Sequence, residues 1–201
     1  DFKIESTFLS FDLHEDFCRV QSELEFTKIN PQQNDLFLDG EEVELKSILL
    51  NGKIPDFNLT AAGLTIKGVP EKFTLKIETL LKPQENTSLE GLYKSGGVFC
   101  TQCEAQGFRK ITYFMDRPDV MTTYTVRIEA DEKKYPVLLC NGDRTENGKA
   151  KDGRHYVMWK DPFKKPCYLF ALVAGDLGVL KDSFTTTSGK KVSLEIYARH
   201  G

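Results

Sequence analysis

This sequence of 201 residues lacks an excess of basic charge, with 27 Lys and Arg against 30 Asp and Glu, and it lacks long apolar runs. The formal net charge is −3 and the sequence pI is about 5.7, so no basic field exists to hold a polyanion, and nucleic acid is not an expected partner. No apolar run approaches the roughly 20 residues that a spanning helix needs. We therefore expect a soluble chain that does not bind a membrane.

Catalytic motifs are also lacking. The three histidines, His14, His155 and His200, lie far apart in the sequence, and no Gly-x-Ser-x-Gly, phosphate-loop or dinucleotide motif occurs. The stretch from His14 to Cys18 begins like a zinc-protease helix motif, but cysteine occupies the position of the second histidine. The residues alone therefore form no catalytic constellation.

Cysteines are few and widely spaced. An odd count of five favours reduced thiols and a cytoplasmic setting. Cys100 and Cys103 have the spacing of a redox or zinc pair, but a structural zinc site needs four ligands and no second close pair is present. The sequence predicts that both thiols are reduced and unbridged, with metal or redox use as the alternative.

What the sequence does contain is the period-two alternation of half-buried strands. In "KFTLKIETLL" one face carries Phe73, Leu75, Ile77 and Leu81. The same pattern recurs in "YTVRIEA", in "VSLEIYA" (Val192, Leu194, Ile196), and in "VELKSILL" (Val43, Leu45, Leu49). These segments predict sheet elements and not helices.

Turn dipeptides that tolerate positive φ separate many of these runs. They are Asp39-Gly40, Asn51-Gly52, Asn141-Gly142, Asn147-Gly148, Asp152-Gly153 and Ser188-Gly189. Together the signals predict an all-β fold, a large antiparallel multi-sheet domain of saddle or sandwich form. At most one short helical turn is expected, in "AQGFRKITYFM" after Glu104. No linker or repeat interrupts the chain, so residues 1–201 are interpreted as a single domain.

One block, from Gly97 to Val120, differs from the plain strands around it. It reads "GVFCTQCEAQGFRKITYFMDRPDV" and crowds cysteines, acidic and basic groups together. With "LEGLYKSGG", "YPVLLCNGDR" and the long segment from Asp161 to Tyr197, it closely resembles the N-terminal domain of the bacterial aminopeptidase N family. These enzymes are zinc metallopeptidases of the gluzincin group. The likeness spans nearly the whole chain.

The resemblance implies an all-β domain of a longer, monomeric enzyme that removes N-terminal amino acids from peptides. In that family a His-Glu-x-x-His helix and a more distant glutamate hold zinc in the following catalytic domain, and no His-Glu-x-x-His motif occurs in this chain. We therefore expect an excised N-terminal domain that binds no zinc and has no catalytic residue, and that is inactive without its catalytic domain. A stand-alone homologue remains the alternative.

By the same resemblance, Glu104 matches the glutamate that binds the substrate's free α-amino group. Gln102 matches a glutamine beside the pocket for the first side chain. In an extended segment these two residues share a face, and Cys103 points the other way. The competing interpretation makes Glu104 a surface carboxylate, or one paired with Arg109 or Arg117.

The remaining charged residues of the block, Arg109, Asp116, Arg117 and Asp119, are expected to hold the loop by ion pairs and turn hydrogen bonds.

A second class of function is a non-catalytic β-sandwich module that binds another protein through its sheet edges or faces. The two classes predict different surfaces. Part of an enzyme should carry an apolar patch left bare by a missing neighbour, with Glu104 near its rim, whereas a free-standing module should not.

Overall fold

A computed structural model describes residues 1–200 of the chain as strands joined by turns and loops. It contains two 3₁₀ turns, at Phe108–Lys110 and Cys167–Leu169. Within the described residues, no helix is long and apolar enough to cross a membrane. The strands are β1 (Phe2–Leu13), β2 (Cys18–Lys28), β3 (Leu36–Asp39), β4 (Glu44–Leu50), β5 (Phe57–Thr60), β6 (Gly63–Ile66), β7 (Lys72–Leu81), β8 (Gly91–Ser95), β9 (Val98–Gln102), β10 (Thr122–Asp131), β11 (Val137–Cys140), β12 (Asp143–Lys149), β13 (Arg154–Lys165), β14 (Leu172–Gly175), β15 (Gly178–Thr185) and β16 (Lys191–Ala198).

Four sheets result. A seven-stranded sheet has the order β12-β13-β10-β1-β2-β7-β4, and a four-stranded sheet has the order β11-β14-β9-β8. Smaller sheets are formed by β3-β6-β5 and by the β15-β16 hairpin. The predicted all-β class is confirmed. Two details differ from the prediction: β1 and β10 pair in parallel, and the turn at Cys167–Leu169 is a second 3₁₀ turn.

The seven-stranded sheet has one buried and one exposed face, as the alternation in β7 and β10 predicts. Leu75, Ile77, Val126 and Ile128 are all buried. The opposite face carries cross-strand ion pairs such as Lys76 with Glu23 at 2.9 Å. Apolar burial on one face and solvated charge on the other account for this strand pattern.

A non-strand segment, residues 103–121, packs on the buried face of this sheet. Phe108 is fully buried and its ring lies 4.8 Å from that of Phe114 and 5.4 Å from that of Phe170. Hydrogen bonds fasten the segment to strands of the large sheet: Thr79 Oγ1 donates to the Ile111 carbonyl at 2.9 Å. The block that stood out in the sequence therefore lies against the core.

Two predicted strand faces need correction. In β4 the register shifts between Leu45 and Ser47, so Ile48 is buried while Leu49 is only partly buried. The cause is the extra residue of a β-bulge, which reverses which side chains face inward. In β16 the strand is present, but Leu194 and Ile196 are exposed.

Turn predictions succeed where the dipeptide joins two strands. Asp152 and Gly153 have φ of 57° and 72° and close the β12-β13 hairpin, a conformation that favours glycine at the second position. Asn147-Gly148 was wrong as a turn, because both residues lie within β12. There Gly148 pairs with Tyr156, and a Cβ on Gly148 would lie 2.9 Å from that ring.

Candidate functional site

The candidate site is the turn that follows β9. Its strand ends at Gln102, which pairs with Gly91 of β8, and the chain then reverses so that the Gly107 N–H donates to the Cys103 carbonyl at 3.0 Å. A Cβ on Gly107 would lie 2.3 Å from the Gln102 carbonyl oxygen. Only glycine permits this close backbone approach, so the turn is tightly folded onto the end of its own strand.

Gln102 and Glu104 lie together on the outer side of this turn. Both are exposed, and the Gln102 Nε2 donates to the Glu104 carbonyl oxygen at 2.8 Å. Between them Cys103 is only 2% exposed. Its side chain therefore points inward, away from the side of Gln102 and Glu104, as the alternation predicts. The backbone of Glu104 is thereby held by the side chain of Gln102.

The carboxylate of Glu104 has no ion-pair or hydrogen-bond partner among residues 1–200. The two arginines considered as partners are engaged elsewhere: Arg109 Nε lies 2.9 Å from Asp116, and Arg117 Nη2 lies 2.9 Å from Asp119. The interpretation that pairs Glu104 with Arg109 or Arg117 is therefore wrong. Both pairs hold the loop, as predicted for these four charged residues.

Beneath the turn, Asp116 is a buried carboxylate, 3% exposed. Its Oδ2 accepts hydrogen bonds from the backbone N–H of Arg109 at 3.1 Å and from Arg109 Nε at 2.9 Å. Its Oδ1 accepts from the Cys167 thiol at 3.1 Å. Burial, with the Asp116 charge beside it, raises the pKa of Cys167 well above the ordinary thiol value. This clamp fixes the residues that directly follow the Glu104 turn.

Asp39, at the end of β3, completes the clamp. Its Oδ2 accepts from the Asp116 backbone N–H at 3.1 Å, and its Oδ1 lies 3.6 Å from Arg109 Nη1. The backbones of Asp39 and Phe114 also pair as an isolated bridge. The sequence interpretation missed this role because Asp39-Gly40 was taken only as a turn dipeptide.

Lys110 joins the 3₁₀ turn to the residue that precedes β8 and to the loop before β4. Its Nζ lies 2.9 Å from Glu90 and 3.3 Å from both Glu41 and Glu42. The hydrogen bond to Glu90, together with the other two carboxylates, raises the pKa of Lys110. This ion-pair cluster was also missed, since the acidic residues lie some 20 and 70 positions away in the sequence.

A shallow groove of about 380 Å³ runs beside the clamp. Its wall includes Gln106 of the turn, Arg109, Asp116, Arg117 and Met115. The turn therefore borders an open surface on the side away from the core.

Zinc, which the resemblance implies for the complete enzyme, does not fit the residues of this chain. No group of three or more His, Cys, Asp or Glu within residues 1–200 is arranged to hold a metal ion. The histidines are separately engaged: His14 with Asp12 at 3.0 Å, His155 with the Tyr135 carbonyl at 2.8 Å, and His200 with Asp176 at 3.2 Å.

The cysteines form no disulfide bond with one another within residues 1–200. All five cysteines are free, and Cys100 and Cys103 form no disulfide. Cys103 is buried in the core and Cys100 is half-buried on β9.

Comparison with known proteins identifies relatives over the whole chain. A sequence model described as the Peptidase M1 N-terminal domain matches residues 9–169. The chain is 48% identical over its full length to aminopeptidase N of Escherichia coli strain K12 and 49% identical to aminopeptidase N of Caulobacter vibrioides. It covers 23% of each of these two relatives.

Solved structures agree in fold. Aminopeptidase A of Legionella pneumophila, in complex with aspartic acid, superposes with a TM-score of 0.93 at 36% identity, covering 99% of this chain and 24% of that one. An M1 zinc metallopeptidase from Deinococcus radiodurans, bound to a Tyr-Ser-Ala substrate, gives a TM-score of 0.84 at 16% identity, covering 100% of this chain and 48% of that one. The second likeness concerns the fold alone. With a family match that includes the whole Glu104 turn and relatives nearly half identical across its length, the chain belongs to the Peptidase M1 N-terminal domain family.

Proposed function

We propose that this chain is the N-terminal domain of a zinc-dependent aminopeptidase and supplies the carboxylate that binds the substrate's α-ammonium group. A following catalytic domain of the same polypeptide would hold the zinc. The observation that carries the proposal is the exposed, unpartnered carboxylate of Glu104 on a turn that Gln102 and the Arg109-Asp116 clamp hold in place.

The chemistry of recognition follows from that carboxylate. An α-ammonium enclosed by carboxylates forms charge-assisted hydrogen bonds that strengthen as water is excluded. An internal peptide nitrogen has no such charge, and binding it would leave the carboxylates buried and unpaired, at a cost of several kcal/mol per ion. Glu104 would therefore select free N-termini and fix the first peptide bond in register.

Gln102 would line the pocket for the first side chain. Its side-chain amide also holds the Glu104 backbone, so one residue serves both the pocket and the anchor. Asp116 and Arg109 would act through the turn, without contact with the substrate.

The role of a stand-alone binding module is less well supported. The chain spans 23% of the length of the aminopeptidases N of Escherichia coli and Caulobacter vibrioides that it matches, and this favours part of a longer enzyme. We further propose a monomeric, cytoplasmic enzyme of peptide catabolism, which the five free thiols suit because reduced cysteines are typical of that compartment.

The experiment compares Glu104→Gln with the unchanged complete enzyme on alanyl, leucyl and arginyl substrates. Truncating one partner of a buried charge pair costs on the order of 2 to 3 kcal/mol, so kcat/KM should fall about 30- to 150-fold at 1.4 kcal/mol per tenfold. A value within about twofold, under 0.5 kcal/mol, would overturn the role of Glu104.

Two controls accompany it. Gln102→Ala should change preference among first side chains; because Gln102 also holds the Glu104 backbone, it should lower kcat/KM as well, but by less than Glu104→Gln does. The chain of residues 1–201, purified with zinc, should show no turnover of an alanyl chromogenic substrate. Turnover that is lost on chelation would contradict the assignment of catalysis to a following domain.

A further inference from the structure

The β15-β16 hairpin turns an apolar face outward. Leu180 pairs with Ile196 and Phe184 with Val192, and in antiparallel strands paired residues lie on the same face. On this face Leu180 is 67% exposed, Ile196 64% and Phe184 58%. We call Leu180, Phe184, Val192, Leu194 and Ile196 the hairpin face.

The other side of the hairpin is turned toward the rest of the domain across a groove. Ser193, Glu195 and Tyr197 line a groove of about 580 Å³ shared with residues of β11, β12 and β13, including Trp159. The side that carries Lys181, Ser193 and Glu195 thus faces the groove, and the side with most of the large apolar residues faces solvent, which reverses the usual arrangement for a surface sheet.

An apolar face of this kind is expected to be buried against another part of the protein or a partner. An isolated two-stranded hairpin is marginally stable in water, and clustered exposed apolar side chains mark an interaction surface. No element among residues 1–200 lies over the hairpin face, since its large side chains are exposed in the described structure.

The length of the relatives indicates what covers it. The chain matches 23% of the aminopeptidases of Escherichia coli and Caulobacter vibrioides, and β16 is the last described strand. A polypeptide that continues from β16 is tethered beside the hairpin face, and a short tether gives a high effective concentration.

The exit of β16 is also fixed relative to the candidate site. Arg199 Nη2 donates to the Ser95 carbonyl at 3.0 Å, and a Cβ on Gly96 would lie 2.6 Å from the Arg199 guanidinium. Ser95 is the last residue of β8 and Gly96 begins the turn of the β8-β9 hairpin, whose other end carries Gln102 and the Glu104 turn.

We propose that the hairpin face is the docking surface for the polypeptide that follows residue 201, and that it sets the position of the Glu104 turn against that neighbour. This proposal rests on the proposed function, because both require a native polypeptide that is longer than this chain. Asp182 lies within the face, opposite Leu194, so the occupant should present an apolar surface with a cation or hydrogen-bond donor facing Asp182.

Hydroxyl-radical footprinting tests this directly, because it measures side-chain accessibility. Leu180, Phe184 and Ile196 should react readily in the chain of residues 1–201. In the complete protein their reactivity should fall roughly sixfold, which corresponds to a change from exposures of 58–67% to about a tenth, a buried contact. Equal reactivity in the two proteins would overturn the proposal. Protection that appears in the short chain as its concentration rises, without further protection in the complete protein, would instead identify a second copy as the occupant and also overturn it.

Matched variants separate this proposal from the proposed function. In the complete protein, Leu180→Asp combined with Ile196→Asp should restore the reactivity of Phe184 to that of the short chain, whereas Ser183→Asp, on the opposite side of the same hairpin, should not. Neither the footprinting of the two proteins nor that of the variants depends on substrate turnover or on the role of Glu104. A failure of the ammonium-anchor role therefore leaves these outcomes unchanged, and unaltered Phe184 protection in the double variant would refute the docking surface alone.

Discussion

Asp116→Ala should destabilise the domain substantially, because it removes the buried carboxylate of the clamp. The carboxylate is 3% exposed and accepts two hydrogen bonds from Arg109 and one from the Cys167 thiol. Its removal leaves the Arg109 side chain, 19% exposed, with Asp39 at 3.6 Å as its remaining ionic partner. Breaking a buried pair by removing one partner costs about 3–5 kcal/mol. Because Asp39 persists, we expect the lower end, about 3 kcal/mol.

Two further variants serve as comparisons. Asp116→Asn retains an acceptor oxygen but loses the charge, so it should cost about 1.5–3 kcal/mol, the value of a hydrogen bond to a charged group. Asp119→Ala removes a carboxylate of which 67% is exposed and should change stability by less than about 0.5 kcal/mol. The assay is urea unfolding of the chain of residues 1–201, with the free energy of unfolding compared at constant m-value. A loss under about 1 kcal/mol for Asp116→Ala would refute the reasoning, because it would be no larger than that of an ordinary surface pair.

Two further predictions concern titration and thiols. The hydrogen bond from Tyr135, with Lys94 nearby, lowers the pKa of Glu15 below its ordinary value of 4.5; ionised Glu15 therefore adds stability that is present above pH 4.5 and is lost as the pH falls through the lowered folded-state value. The stability gap between Glu15→Gln and the unchanged chain should accordingly shrink between pH 6 and pH 3 in urea unfolding, and a constant gap would contradict this. Burial raises the pKa of Cys103 above the ordinary thiol value and leaves the residue only 2% exposed, so native-state alkylation with iodoacetamide should modify half-buried Cys100 before Cys103. Faster loss of the Cys103 thiol, seen by peptide mass spectrometry, would show that the turn opens.

The strands could be predicted from the sequence where the pattern is local. Period-two alternation identified β7 and β10 because one face of each packs on the core. It could not reveal the parallel pairing of β1 with β10, which joins segments more than 100 residues apart. Nor could it show that the apolar side of β16 is exposed, since a pattern reports which face is apolar and not whether anything covers it.

The same distinction between local pattern and long-range contact applies to the candidate site. The exposure of Gln102 and Glu104 and the burial of Cys103 follow from alternation along one short segment. The clamp does not, because Asp39 and Cys167 reach Asp116 from 77 and 51 positions away. Contacts of this kind depend on how the sheets pack and leave no periodic signal in the sequence.

The central claim is that this domain supplies the carboxylate that binds the substrate's α-ammonium group. The most direct measurement is a crystal structure of the complete enzyme with a bound free amino acid, in which the distance from the Glu104 carboxylate oxygens to the α-nitrogen is read. We predict about 2.7–2.9 Å, the length of a charge-assisted hydrogen bond. A separation greater than about 4 Å, beyond the limit of an ion pair, would contradict the claim.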